Sequence, residues 1–224
     1  MDPFISAIKN YAEELKNCAV WHNSREAVGC ALDSENYYIY EFYCLMRLLN
    51  DLNINYSIKY EAGKDDKRNK FPKGPAPKKD RPYFKLLDKN GALLYQICAG
   101  TEIKVKAGEK TDSPDISFQL AESPLDEPSY EHVKLIMDAK YSESKEVSKG
   151  SYNDFAMMIK KLDLENAKII NIKYDKLSGV IGNCLISNGK AYTDDVNYIS
   201  DDALCEMEYF NEEDDFNIIV KKDE

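Results

Sequence analysis

Asp138 and Lys140 stand two residues apart at the end of an apolar run, "VKLIMDAKYS" at 133–142. In an extended strand, side chains alternate between faces. Val133, Leu135, Met137, Ala139 and Tyr141 then share a core face, while Lys134, Ile136, Asp138, Lys140 and Ser142 share the other. A carboxylate beside an ammonium at a strand end suits a cleft. "SPDISFQL" at 113–120 supplies a second carboxylate, with Asp115, Ser117 and Gln119 on one face. The connection "AESPLDEPSYEH" is short enough for a hairpin, and antiparallel pairing sets the start of one strand against the end of the next. With Leu120 opposite Val133, Asp115 falls beside Asp138. Two carboxylates in a partly buried place repel unless a proton or a cation lies between them. A divalent ion is the economical solution, since Mg²⁺ prefers oxygen donors. Lys140, on the same face, suits a phosphate or a held water.

The elements that position these residues follow from periodicity. Residues 4–20 have helical spacing through Phe4, Ile5, Ile8, Tyr11 and Leu15. Ser34 or Asp33 is placed to cap a second, strongly apolar helix reaching Leu52. Residues 63–82 hold eight basic and three acidic residues with four prolines, and read as a long exposed loop. Strand-like runs follow at 83–87, 93–98, 102–106, 115–121 and 132–141, with an Asn-Gly hairpin signal at 90–91. A helix is expected over 152–163, a buried strand over 167–174, and one or two strands around a second Asn-Gly within 183–192. "SYND" at 151–154 matches a capping box in which Asp154 reaches back to the helix start. Together these predict an α/β (α+β) fold: a mixed, antiparallel-rich central sheet flanked by helices, with an extra N-terminal helix and C-terminal strands. The organisation is an N-terminal helical segment (1–30), a main domain (31–200) and an acidic tail (201–224).

Composition narrows the class. The 224 residues carry a net charge of −10, which argues against indiscriminate coating of nucleic acid but leaves room for a local basic groove. No apolar run approaches a membrane span, the N-terminus lacks a secretory pattern, and a cytoplasmic setting is expected. The six cysteines form no C-x-x-C pair and read as buried free thiols rather than a zinc site.

Pro114-Asp115 followed after 22 residues by Asp138-Ala139-Lys140 resembles the PD-(D/E)xK nuclease signature. "YEFYCLMRLL" (40–49) resembles the helix that opens the nuclease domain in the McrC and LlaJI-like branch. The resemblance covers Tyr40 to Lys161 and is loose outside the motifs. It implies a restriction endonuclease-like core and a metal-dependent endonuclease. Asp115, Asp138, the Ala139 carbonyl and Glu41 would hold Mg²⁺, with Mn²⁺ able to substitute, and Lys140 would orient or help deprotonate the attacking water. Glu41 qualifies independently, because it sits in an apolar stripe with Tyr37, Tyr38, Cys44, Leu45, Leu48 and Leu52. A charge there needs compensation; a pair with Arg47 or another buried base, or a protonated acid, is the structural alternative. The implied substrate is nucleic acid, with DNA favoured. An AAA+ motor or specificity subunit, and restriction or phage defence, are implied by the same analogy.

Two rival readings stand beside it. One keeps the scaffold and drops the chemistry, giving an inactive nucleic-acid-binding or assembly subunit. The other makes Asp138 and Lys140 an exposed salt bridge on an interaction protein. Gln119 reads as a structural amide and Lys134 as a solvated edge residue. Lys104 and Lys106 share a face open to phosphate, and the acidic tail reads as a solubilising end.

Overall fold

Two amphipathic segments free of internal proline and glycine form the first helices, α1 (Pro3–Asn17) and α2 (Asn36–Asn55). In α1 only the stripe Phe4, Ile8, Ala12 and Leu15 is buried. In α2 thirteen of twenty residues are buried, so this helix is enclosed rather than laid on a surface. It ends where Tyr56 turns extended, with the Tyr56 N–H still bonded to the Leu52 carbonyl at 3.0 Å. Its N-cap is Glu35, without a side-chain cap bond; Ser34 and Asp33 lie outside the described residues. The computed structural model describes residues 3–17, 28, 35–63, 74–108, 110–165, 172–180, 182–193, 204–211 and 215–220.

Ten strands follow: β1 (Ser57–Glu61), β2 (Tyr83–Leu87), β3 (Leu93–Ala99), β4 (Ile103–Lys104), β5 (Thr111–Asp112), β6 (Ile116–Leu120), β7 (Val133–Lys140), β8 (Asn183–Ser187), β9 (Leu204–Glu208) and β10 (Asn217–Val220). Eight form one sheet in the order β1-β2-β3-β6-β7-β8-β9-β10, and β4–β5 make a separate hairpin. Pairing is antiparallel from β1 to β7, parallel for β7–β8 and β8–β9, and antiparallel again for β9–β10. The parallel step is bridged through α3 (Lys149–Lys161), as a crossover requires.

The sheet is buried on both faces. Phe84, Ile97, Phe118, Met137, Ile186 and Met207 meet α1 and α2, whereas Ile136 and Leu185 meet Tyr152, Phe155 and Ile159 of α3. Chain direction in α2 is fixed by polar ties to the end of β9. The Tyr40 hydroxyl donates to the Phe210 carbonyl at 3.0 Å, and Tyr43 and Arg47 both donate to the Asn211 carbonyl. The Arg47 guanidinium also lies 4.1 Å from the Phe210 ring centroid and 4.9 Å from that of Phe216.

The mixed α/β sheet flanked by helices agrees with the sequence pattern, and the strand expected at 83–87 is found at those bounds. Several details differ. The strand expected over 102–106 shortens to the two residues of β4. Of 167–174, residues 172–174 are not strand, and 167–171 lie outside the described residues. The first Asn-Gly does turn a hairpin: Asp88 accepts from the Asn90 and Ala92 amides at 2.8 Å, and Gly91 takes φ +83. The second does not, because β8 stops at Ser187 between two parallel neighbours. The chain instead meets the loop after β7, where Lys190 N–H donates to the Lys145 carbonyl at 2.8 Å. Helix α3 starts earlier than 152, capped by the Ser148 hydroxyl, so Asp154 is an exposed mid-helix residue and no capping-box member.

The acidic segment from 201 is likewise more than a solubilising end. It contributes β9 and β10, and Leu204, Cys205 and Met207 are buried. Helix α1 joins the core of the main sheet. Cys44, Cys98, Cys184 and Cys205 are buried free thiols. Among the described residues, no helix is long and apolar enough to cross a membrane.

The close approach at Gly189 has a measurable consequence. A Cβ there would lie 2.1 Å from the Lys145 carbonyl carbon, backbone that cannot swing aside. Gly189→Ala should cost at least the upper end of the ~1–3 kcal/mol typical of overpacking. Gly91→Ala, in open space but left-handed, should cost only about 1 kcal/mol. Denaturant unfolding of the two variants compares them directly, and equal losses would refute the assignment.

Candidate active site

Strands β6 and β7 pair with Ile116 opposite Met137, Ser117 opposite Ile136 and Phe118 opposite Leu135. This is the register expected from the sequence, up to a bulge after Phe118 that sets Val133 against Gln119 instead of Leu120. The bulge lies at the far end, so the near end is undisturbed. There Asp115 stands just before β6 and takes the Ala139 N–H on its Oδ2 at 2.7 Å. That bond fastens one carboxylate to the backbone between Asp138 and Lys140.

The Lys140 ammonium meets Asp138 Oδ2 at 2.6 Å. Asp138 is only 4 % exposed, so the pair is not the loose surface salt bridge of the third reading. On its other side β7 is held by parallel pairing, with Asp138 against Leu185 and Lys140 against Ser187. Beyond it, Asn188 clamps the Ser142 backbone: its Oδ1 accepts the Ser142 N–H at 2.8 Å and its Nδ2 donates to the Ser142 carbonyl at 3.1 Å. Three independent restraints therefore converge on Asp138-Ala139-Lys140.

Glu41 reaches the same place from α2. Burial, first, and then repulsion from Asp138 push its carboxyl up to about 7, against the pull of the Lys140 charge. Arg47 is engaged with Tyr43, Asn211 and two aromatic rings, and the cation acting on Glu41 is Lys140. Burial raises Asp115 well above the usual carboxylate range, helped by the charges of Asp138 and Glu41. Burial alone would lower Lys140, but Asp138, Asp115 and Glu41 outweigh it and the ammonium is held more firmly than in water. One ammonium thus faces three carboxyls. The surplus negative charge and the all-oxygen donor set suit a hard divalent cation. Among the described residues, however, no three His, Cys, Asp or Glu side chains converge in a ready metal cluster; the close pair is Asp115 with Asp138.

Beside these carboxyls lies a cleft of about 170 Å³, lined by Tyr37, Tyr38, Glu41, Phe42 and Leu45 of α2, by Gly74–Pro75, by Ala99–Gly100, and by Ser113 and Asp115. The aromatic stripe of α2 signalled one wall, but nothing in the sequence indicated that Gly74–Pro75 and Ala99–Gly100 would form the other. Those two segments are stitched together by Ala76 N–H to the Gly100 carbonyl (3.1 Å) and Glu102 N–H to the Ala76 carbonyl (3.0 Å).

The basic 63–82 segment needs correction accordingly. Lys78 is buried, its ammonium bonded to Gln119 Oε1 at 2.9 Å and Ser123 Oγ at 3.1 Å, and burial lowers its pKa. Gln119 is a structural amide, as expected, and also donates to Ser117 Oγ at 3.1 Å. Residues 64–73 lie outside the described residues. Lys104 and Lys106 are already paired, with Glu127 at 2.6 Å and Asp163 at 2.8 Å. Lys134 is exposed, but on an interior strand rather than an edge. Comparison with protein-family models, curated proteins and solved structures returns no match.

The Glu41 shift ties stability to pH in metal-free buffer. Unfolded Glu41 loses its proton near 4.5 and folded Glu41 near 7, so its ionisation removes stability as pH rises through that window. Glu41→Gln, which imitates the protonated acid, should match wild type near pH 4.5. By pH 8 in EDTA it should exceed wild type by on the order of 1–2 kcal/mol, allowing for partial exposure. Chemical unfolding at the two pH values checks this, and a pH-independent difference contradicts it.

Proposed function

We propose that the chain is a metal-dependent nuclease of the PD-(D/E)xK type, acting on phosphodiester bonds of nucleic acid with DNA favoured. The observation carrying this reading is the Asp115–Ala139 hydrogen bond at 2.7 Å, which brings together the two motif halves that sequence separates by 22 residues. The topology supports a restriction endonuclease-like core: antiparallel β3–β6–β7 after α2, then α3 and parallel β8, with the motif halves just before β6 and at the end of β7. Asp115, Asp138, the Ala139 carbonyl and Glu41 are the oxygen donors for Mg²⁺ or Mn²⁺. The bound ion would polarise the scissile phosphate and acidify water.

The residues of the chain do the rest. Its reinforced positive charge makes Lys140 a donor and counter-charge for the phosphate rather than a base. Asp115 and Asp138 hold their positions through backbone restraints and not through loop conformation. An AAA+ motor or specificity partner and a restriction or phage-defence setting belong to the same proposal by analogy alone.

The inactive-scaffold reading is favoured by one observation, the lack of a three-ligand cluster among the described residues. Cleavage assays with linear duplex, supercoiled and single-stranded DNA in Mg²⁺, Mn²⁺ or EDTA decide between the two. Cutting should require the metal and fall at least about a hundred-fold in Asp115→Asn and Lys140→Ala, with unfolding midpoints retained. Cutting that survives excess EDTA, or wild-type rates in either variant, overturns the proposal. Absence of cutting together with no calorimetric signal for Mn²⁺ selects the inactive scaffold.

A further inference from the structure

The cleft beside the carboxyls has a composition that catalysis on a phosphate does not need. Tyr38, Phe42 and Leu45 give it an apolar lining, to which Tyr37, 54 % exposed, also contributes. Gly74–Pro75 and Ala99–Gly100 add only small residues to the lining of this slot. Its 170 Å³ is well below the ~300–1,000 Å³ of sites for larger ligands, and matches a single planar ring system. Glu41 and Asp115 border the slot and offer it carboxyl oxygens as acceptors, which suits an uncharged group bearing N–H donors. Lys140 is not part of the slot's lining but acts on the same two carboxyls, Glu41 and Asp115. A ligand with a flat donor-bearing ring at one end and a phosphate at the other fits both halves.

We propose that this slot is a binding site for one unpaired nucleobase, held against Tyr37 and Phe42 with its amino edge toward Glu41 and Asp115, so that the substrate strand is single or locally opened at the site. The identity of this ligand rests on the nuclease reading above. A paired base has both faces stacked and its amino edge bonded, and must leave the stack before it can enter a cavity of this size. Stacking on aromatic side chains depends little on which base is present, so the site selects for strandedness rather than sequence.

The test is binding in EDTA, where metal-dependent turnover is absent, using oligonucleotides of equal length and charge. One is single-stranded with a central 2-aminopurine, one has an abasic position instead, and one is the 2-aminopurine strand fully paired. The single strand should bind about ten-fold more tightly than the abasic strand, and its emission should respond to binding while that of the duplex does not. Tyr37→Ala, at an exposed position, should erase the difference and Tyr37→Phe should restore it. Equal affinity for base-bearing and abasic strands, or an undiminished preference in Tyr37→Ala, overturns the slot even if metal-dependent cutting is found. A preference for the base without any cutting keeps the slot and removes the nuclease.

Discussion

Everything at the sheet's centre depends on one carboxylate taking a backbone N–H across the β6–β7 pair. Asp115 bonded to Ala139 is at once a strand-pairing contact and the junction of the site. It sets the carboxyls of Asp115 and Asp138 against each other in a region that water hardly reaches. That arrangement is unfavourable in isolation, and the surrounding restraints are what hold it: parallel β8, the Asn188 clamp, and an α2 whose rotation is fixed by Tyr40, Tyr43 and Arg47. Local repulsion maintained by a rigid scaffold is the usual signature of a place where a ligand, not the fold, completes the charge balance.

Much of this was legible in the chain. Alternation in 133–141 and 115–120 gave both strands and their faces, and the assumed register holds for Ile116–Met137 to Phe118–Leu135 but not beyond the bulge, which the pattern does not encode. Gln119 was legible because an amide among alternating apolar residues needs partners. Asn188 was not, because its bonds to Ser142 arise from a parallel crossover 46 residues long, which no local period encodes. The same holds for Lys78: in a run of lysines and prolines, charge predicts solvation, yet its neutral partners Gln119 and Ser123 come from strand ends far away in sequence.

The rival accounts of Glu41 also part on physical grounds. In the sequence, Arg47 is one candidate counter-ion for Glu41 on the same helix. In three dimensions its guanidinium is spent on the Asn211 carbonyl and two rings, fixing the helix rather than the acid. Glu41 is left with Lys140, and burial, followed by repulsion from Asp138, outweighs that cation and raises its pKa to about 7.

β10, the last strand of the main sheet among the described residues, reads Asn217-Ile218-Ile219-Val220 and lies at an open edge. Such a short, uncharged, β-branched ribbon offers free backbone donors and acceptors to any other strand it meets, including another copy of itself. The sequence brackets it with Glu212, Glu213, Asp214 and Asp215 on one side and Lys221, Lys222, Asp223 and Glu224 on the other. Charges flanking an edge strand in sequence are a general means of making edge-to-edge stacking of neighbouring molecules costly.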